Sequence, residues 1–212
     1  MYTLYWCRGT AALAPYCVLE LGNLSYETVT VEVRKGEHRQ PAYLAINPKG
    51  FVPALRTPEG QVLTEAAAIC LYLCERHALP LAPPPGTESR GPFLSLLVFL
   101  TNTMQTACKP CDFPERFALD AADAPRVRRW ALDRLDEQWR LAEEHLFAAT
   151  GPFLQGAQMT VADLYLAMLI AWHPRARDLL TGLPRVARCF DAVTAESTVA
   201  RLMRASGNLP LR

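Results

Sequence analysis

The run Leu79-Pro80-Leu81-Ala82-Pro83-Pro84-Pro85-Gly86 divides this chain into two halves of different texture. Proline has no amide proton to give a helix and its ring clashes with the preceding turn, so the run reads as a stiff extended linker. Before it, strand and helix signals alternate. Residues 2–5 and 27–33 are rich in β-branched and aromatic side chains and predict strands; between them 11–21 predicts a helix closed by Gly22-Asn23. Residues 54–56 and 61–63 predict a hairpin around Pro58-Glu59-Gly60, and 64–76 predicts a helix. After the linker the strand signals vanish. Over 126–146, Val127, Ala131, Leu135, Trp139, Ala142 and Leu146 fall on one helical stripe with arginine and glutamate opposite. Residues 164–172 are apolar nearly all round and predict a buried helix, opened by Thr160-Val161-Ala162-Asp163, which has the spacing of a capping box. The chain therefore divides into an α/β domain over 1–78, a linker over 79–89 and an all-α domain over 90–212.

Charge narrows the partners. With 22 basic and 21 acidic residues the net charge is +1, and no basic run offers a footprint for nucleic acid or anionic lipid. The longest apolar stretches are too short to span a bilayer, and the start shows no charged region followed by an apolar block. We expect a cytoplasmic protein that binds neither membrane nor nucleic acid. Seven cysteines, an odd number without framework spacing, are expected to be free thiols and largely buried. Cys108-Lys109-Pro110-Cys111 is a C-x-x-C, but no second pair or histidine doublet completes a metal site, so no metal is expected.

The chemistry concentrates in Asn47-Pro48-Lys49-Gly50-Phe51-Val52-Pro53-Ala54-Leu55 and in Leu63-Thr64-Glu65-Ala66. The first reads as a turn entering a short strand, with Val52-Pro53 where a cis peptide is at home. The backbone of Val52 would then offer a free edge to a peptide-like ligand. Glu65 sets a carboxylate beside the unpaired N–H groups of a helix start, which suits a zwitterionic amino-acid head group. These motifs, in this order, resemble the glutathione transferase family, and the bacterial beta class most closely. The resemblance implies a thioredoxin-like N-terminal domain that binds glutathione, an all-helical C-terminal domain, a hydrophobic second substrate and a homodimer. Carried over by position, it implies glutathione contacts at Lys35, Phe51, Val52, Pro53, Glu65 and Ala66. Lys35 would meet the glycine carboxylate, Val52 the cysteinyl backbone and Glu65 the γ-glutamyl amine. His38 and Arg39 stand nearby as further carboxylate partners or as a solvated helix start.

A glutathione enzyme must ionise its substrate's thiol, whose ordinary pKa is about 8.5. Each unit of depression needs about 1.4 kcal/mol of preference for the anion. A helix N-terminus supplies roughly 0.3–1 kcal/mol, and a hydrogen bond to a charged group about 1.5–3 kcal/mol. One hydroxyl at a helix start is enough. In the junction Trp6-Cys7-Arg8-Gly9-Thr10-Ala11-Ala12-Leu13-Ala14-Pro15, Ala11 and Ala12 stand where the resemblance implies cysteine and serine. Thr10 is the nearest remaining hydroxyl, as catalytic group, helix cap or both. Tyr5 and Cys7 are the alternatives, each with a packing role as the competing reading. The second substrate is expected beside the helix over 89–107, with Gln105, Thr106 and Cys108 in its wall. Three functions follow: a glutathione transferase acting on an apolar electrophile, a non-catalytic glutathione-binding protein, or a Cys7-dependent thiol–disulfide reductase.

Overall fold

The computed structural model describes residues 1–207, which form two compact units. One comprises residues 1–86 and, among the described residues, 194–207; the other comprises 87–193.

The first unit is built on four strands: β1 (Tyr2–Trp6), β2 (Tyr26–Thr30), β3 (Ala54–Arg56) and β4 (Val62–Thr64), in the order β2-β1-β3-β4. β1 runs parallel to β2 and antiparallel to β3, and β3 is antiparallel to β4. This is the expected thioredoxin-like mixed sheet. Strand alternation gives β1 two buried faces. Leu4 and Leu55, which are register partners, point one way and are fully buried. Tyr5 and Ala54 point the other way, into an apolar cluster with Val31 and Tyr43. β2 ends at Thr30 rather than at 33 because, after Val31 donates to the Trp6 carbonyl, a 3-10 turn over Val33–Lys35 begins.

Helix α1 (Leu13–Leu21) starts two residues later than its composition implies, because residues 10–12 form a turn in which Leu13 N–H reaches the Thr10 carbonyl. It closes as expected. Asn23 takes φ 49°, and Leu24 and Asn23 donate back to the Leu19 and Glu20 carbonyls, satisfying the helix's last acceptors. α2 (Pro41–Leu44) carries Tyr43, and α3 (Ala66–Arg76) packs on α1.

The second unit is helical, with α4 (Arg90–Val98), α5 (Gln105–Asp112), α6 (Ala124–His145), α7 (Val161–Trp172), α8 (Ala176–Gly182) and α9 (Pro184–Ala195), the last of which ends at the boundary between units. The expected single helix over 89–107 is interrupted by a π-helical segment, Phe99–Met104, and then continues to Asp112. In α6 the predicted stripe is the buried one: Ala131, Leu135, Trp139 and Ala142 are covered. In α7 all residues from Val161 to Ile170 are buried, and both halves of the capping box are present. Asp163 accepts from Thr160 N–H (2.7 Å), the Thr160 hydroxyl (2.9 Å) and Leu154 N–H (2.8 Å).

By its contacts, helix α10 (Ser197–Ala205) groups with the first unit. It packs on α1, Arg201 pairs with Glu20 at 2.6 Å, and the Ser206 carbonyl accepts Gly9 N–H at 3.1 Å.

Candidate functional site

The loop from Asn47 to Pro53 is held by hydrogen bonds at Asn47, Lys49, Gly50 and Phe51. Asn47, 2% exposed, accepts Lys49 N–H at 3.2 Å through Oδ1 and donates through Nδ2 to the Phe51 carbonyl at 2.7 Å. The Tyr43 hydroxyl donates to that same carbonyl at 2.7 Å, and burial pushes this phenol's pKa up, keeping it a neutral donor. Gly50 takes φ 63°, and a Cβ there would lie 2.9 Å from the His38 carbonyl, so glycine is required. Arg39 lies over the exposed Phe51 ring at 5.2 Å.

This scaffolding orients Val52. Its side chain packs on the Tyr5–Tyr43 cluster, and the Val52-Pro53 bond is cis, as the spacing predicts. Among the described residues no hydrogen bond engages the Val52 main chain. Its N–H and C=O therefore have the valence of an edge strand, ready for an extended peptide backbone.

Beyond the β3–β4 hairpin the chain enters α3 through Glu65, whose φ of 66° and ψ of 108° lie outside the regions a side-chain-bearing residue ordinarily occupies. Such a conformation costs about 1–3 kcal/mol and persists where the surroundings over-determine it. The carboxylate is 72% exposed and meets Lys49 Nζ at 3.3 Å; Nζ also donates to Thr64 Oγ1 at 3.1 Å. Ala66, buried, opens α3 with an N–H that has no intrahelical acceptor.

The other expected residues are placed differently. Lys35 is exposed at the end of its 3-10 turn, where Gly36 turns the chain back with φ 78°. Thr10 donates its hydroxyl proton to the Cys7 carbonyl at 2.7 Å and receives a long contact, 3.4 Å, from Ala12 N–H. These bonds belong to the turn ahead of α1 and correct the expected cap: the N-cap position is Ala12, and no side chain caps the helix. Tyr5 is buried, stacked edge-on against Tyr43 with Arg56 over its ring. Cys7 is 7% exposed, unlike the partly exposed, electropositive setting of reactive thiols. In the second unit Gln105 is half-buried and Thr106 exposed. Cys108 is buried and bonded to the Met104 carbonyl, so of the three only Gln105 and Thr106 offer side chains to a ligand. Burial pushes the Cys108 thiol to about 12 and the Cys111 thiol to about 11, which argues against redox use of the C-x-x-C. The structure adds Lys49, Asn47 and Tyr43, which sequence reasoning does not assign to the site. Asn-Pro hints at the turn Asn47 makes, but no local pattern announces the other two.

Comparison with known proteins decides the family. The model for "Glutathione S-transferase, N-terminal domain" matches residues 15–76 and that for "Glutathione S-transferase, C-terminal domain" matches 117–204. A maleylacetoacetate isomerase of Pseudomonas aeruginosa is 32% identical over 92% of this chain and 91% of its own. The chain belongs to the glutathione transferase family. Among solved structures, a glutathione transferase homologue from Sulfitobacter, with bound glutathione, matches with a TM-score of 0.87 at 27% identity over 99% of both chains. A glutathione transferase from Methylococcus capsulatus matches with a TM-score of 0.81 at 30% identity over 99% of this chain and 100% of its own. At the β1–α1 junction of this glutathione transferase family member, Ala11 and Ala12 are buried and bring no sulfur or hydroxyl.

Proposed function

We propose that this protein binds glutathione on the first unit, lowers the pKa of its thiol and adds the thiolate to an apolar electrophile. The observation that carries the reading is the unengaged Val52 main chain, fixed by two donors on the preceding carbonyl, in the same unit as Glu65 and its strained entry into α3. Val52 would pair with the cysteinyl backbone, flanked by Phe51 and Pro53. Glu65 would hold the γ-glutamyl amine, the Ala66 N–H its carboxylate and Lys35 the glycine carboxylate. Similar solved structures include complexes with glutathione, which supports the ligand.

Thr10 is the proposed thiolate partner. Its hydroxyl turns about one bond, so the proton it donates to the Cys7 carbonyl becomes available to an arriving sulfur. The thiol proton passes to solvent, and the C–S bond forms as a leaving group departs or as a conjugated double bond shifts its electrons. Much of the acceleration comes from ionisation and from placing two reactants together. Titrating the ultraviolet absorbance of bound glutathione tests this. Thiolate present at neutral pH is expected; a thiol that titrates as in free glutathione would leave a binding protein without the chemistry.

The relatives named as maleylacetoacetate isomerases favour a second reading, in which the thiolate adds to a double bond, rotation follows and the thiolate leaves again. Glutathione is then unconsumed, whereas conjugation consumes one glutathione per turnover. Family membership also supports a homodimer, which analytical ultracentrifugation tests.

A further inference from the structure

The head-group end of the proposed site contains a cation that the expected contacts leave out. We propose that Lys49 binds the α-carboxylate of the γ-glutamyl group, exchanging its ion pair with Glu65 for one with the ligand. This rests on glutathione being the ligand, and it names the residue that selects an amino-acid end carrying both charges.

Three observations converge. Lys49 Nζ and Glu65 Oε1 lie 3.3 Å apart with side chains 56% and 72% exposed, so each is held by the other only weakly and both are reachable. An α-amino acid carries the complementary set, a cation and an anion on one carbon. Docking it against this pair puts the ligand's ammonium on Glu65 and its carboxylate on Lys49, with opposite charges adjacent throughout. Second, the ammonium is aimed. Thr64 Oγ1 holds Nζ at 3.1 Å one residue before Glu65, while Asn47 fixes the backbone of Lys49 from the other side. Third, the α3 start lacks a side-chain donor for a carboxylate, because residue 66 is alanine. Backbone N–H groups there orient an anion, and a lysine adds full charge to them.

Calorimetry with two ligands reads the assignment. Glutathione carries the α-carboxylate; 4-aminobutanoyl-cysteinyl-glycine lacks only that group. Wild type is expected to prefer glutathione. Lys49→Met is expected to weaken glutathione about tenfold, the scale of a single charge-assisted contact, while holding the analogue's affinity within about twofold. Lys49→Arg is expected to recover most of the loss. Equal weakening of both ligands would make Lys49 a scaffold for the loop and overturn the proposal. Unchanged or tighter glutathione binding would make it a mere competitor for Glu65 and would overturn the proposal equally. Failure of wild type to bind either ligand would instead remove the glutathione reading beneath it, a result distinct from the others.

Discussion

Thr10 has one hydroxyl proton, which it donates to the Cys7 carbonyl at 2.7 Å. A thiolate must draw it away, which a charged acceptor does: hydrogen bonds to ions are worth about 1.5–3 kcal/mol against about 1 for a neutral pair. Thr10→Val is therefore expected to raise the pKa of bound glutathione by about 1–2 units, at roughly 1.4 kcal/mol per unit, and to slow conjugation at neutral pH accordingly. An unchanged titration would leave Thr10 as a member of the β1–α1 turn alone. Asn47→Ala removes two bonds from a residue that is 2% exposed, and it is expected to cost about 1–3 kcal/mol in denaturant unfolding while weakening glutathione. Residue by residue, sequence is a partial guide. The turn that leads into Val52-Pro53 is legible because asparagine bonds its own backbone, glycine alone takes positive φ cheaply and proline fixes φ, so their order spells a turn. The partnership of Lys49 with Glu65 spans sixteen positions through two strands and exists only once the hairpin has formed.

Among the elements, α7 offers the cleanest separation of stability from chemistry. Asp163 is fully buried and takes both a backbone bond from Thr160 and one from Leu154. Asp163→Ala orphans two buried N–H groups and is expected to cost about 2–4 kcal/mol, read as a lower denaturation midpoint with unchanged slope. The thiol titration of bound glutathione should not move. Helices α6 and α7 are readable because one has a sharp apolar stripe and the other a cap followed by unbroken apolar sequence. The π-helical turn over Phe99–Met104 is not, since inserting one residue into a helix shifts its face without changing its composition. Nor does Pro110 end α5: it removes one donor near the helix's last turn, and Phe113 N–H still reaches the Lys109 carbonyl. The close of β2 escapes detection for a similar reason, because β-branched Val31 and Val33 continue a strand pattern that the 3-10 turn has already ended.

For the molecule as a whole, the packing of the last helix is not legible in the order of the sequence. Nothing local in 197–205 reveals that it packs on α1, a contact made across most of the chain. Acid sensitivity is expected from the second unit. His173 is buried beside Asp136 and Arg175, and burial lowers its pKa below 6.5. The unfolded chain then binds a proton more readily than the folded one, so stability is full above about 6.5 and declines as pH falls towards the depressed value. Thermal unfolding from pH 7.5 to 5 should show that decline, and His173→Gln should flatten it. The glutathione reading itself depends on one edge of main chain and one acid in the first unit. Calorimetric titration of glutathione into wild type and into Glu65→Gln puts both to the test. We expect measurable heat of binding to the wild type and affinity at least about tenfold weaker in the variant, the loss of one charge-assisted contact. Equal affinity in both, or no binding to the wild type, would refute it.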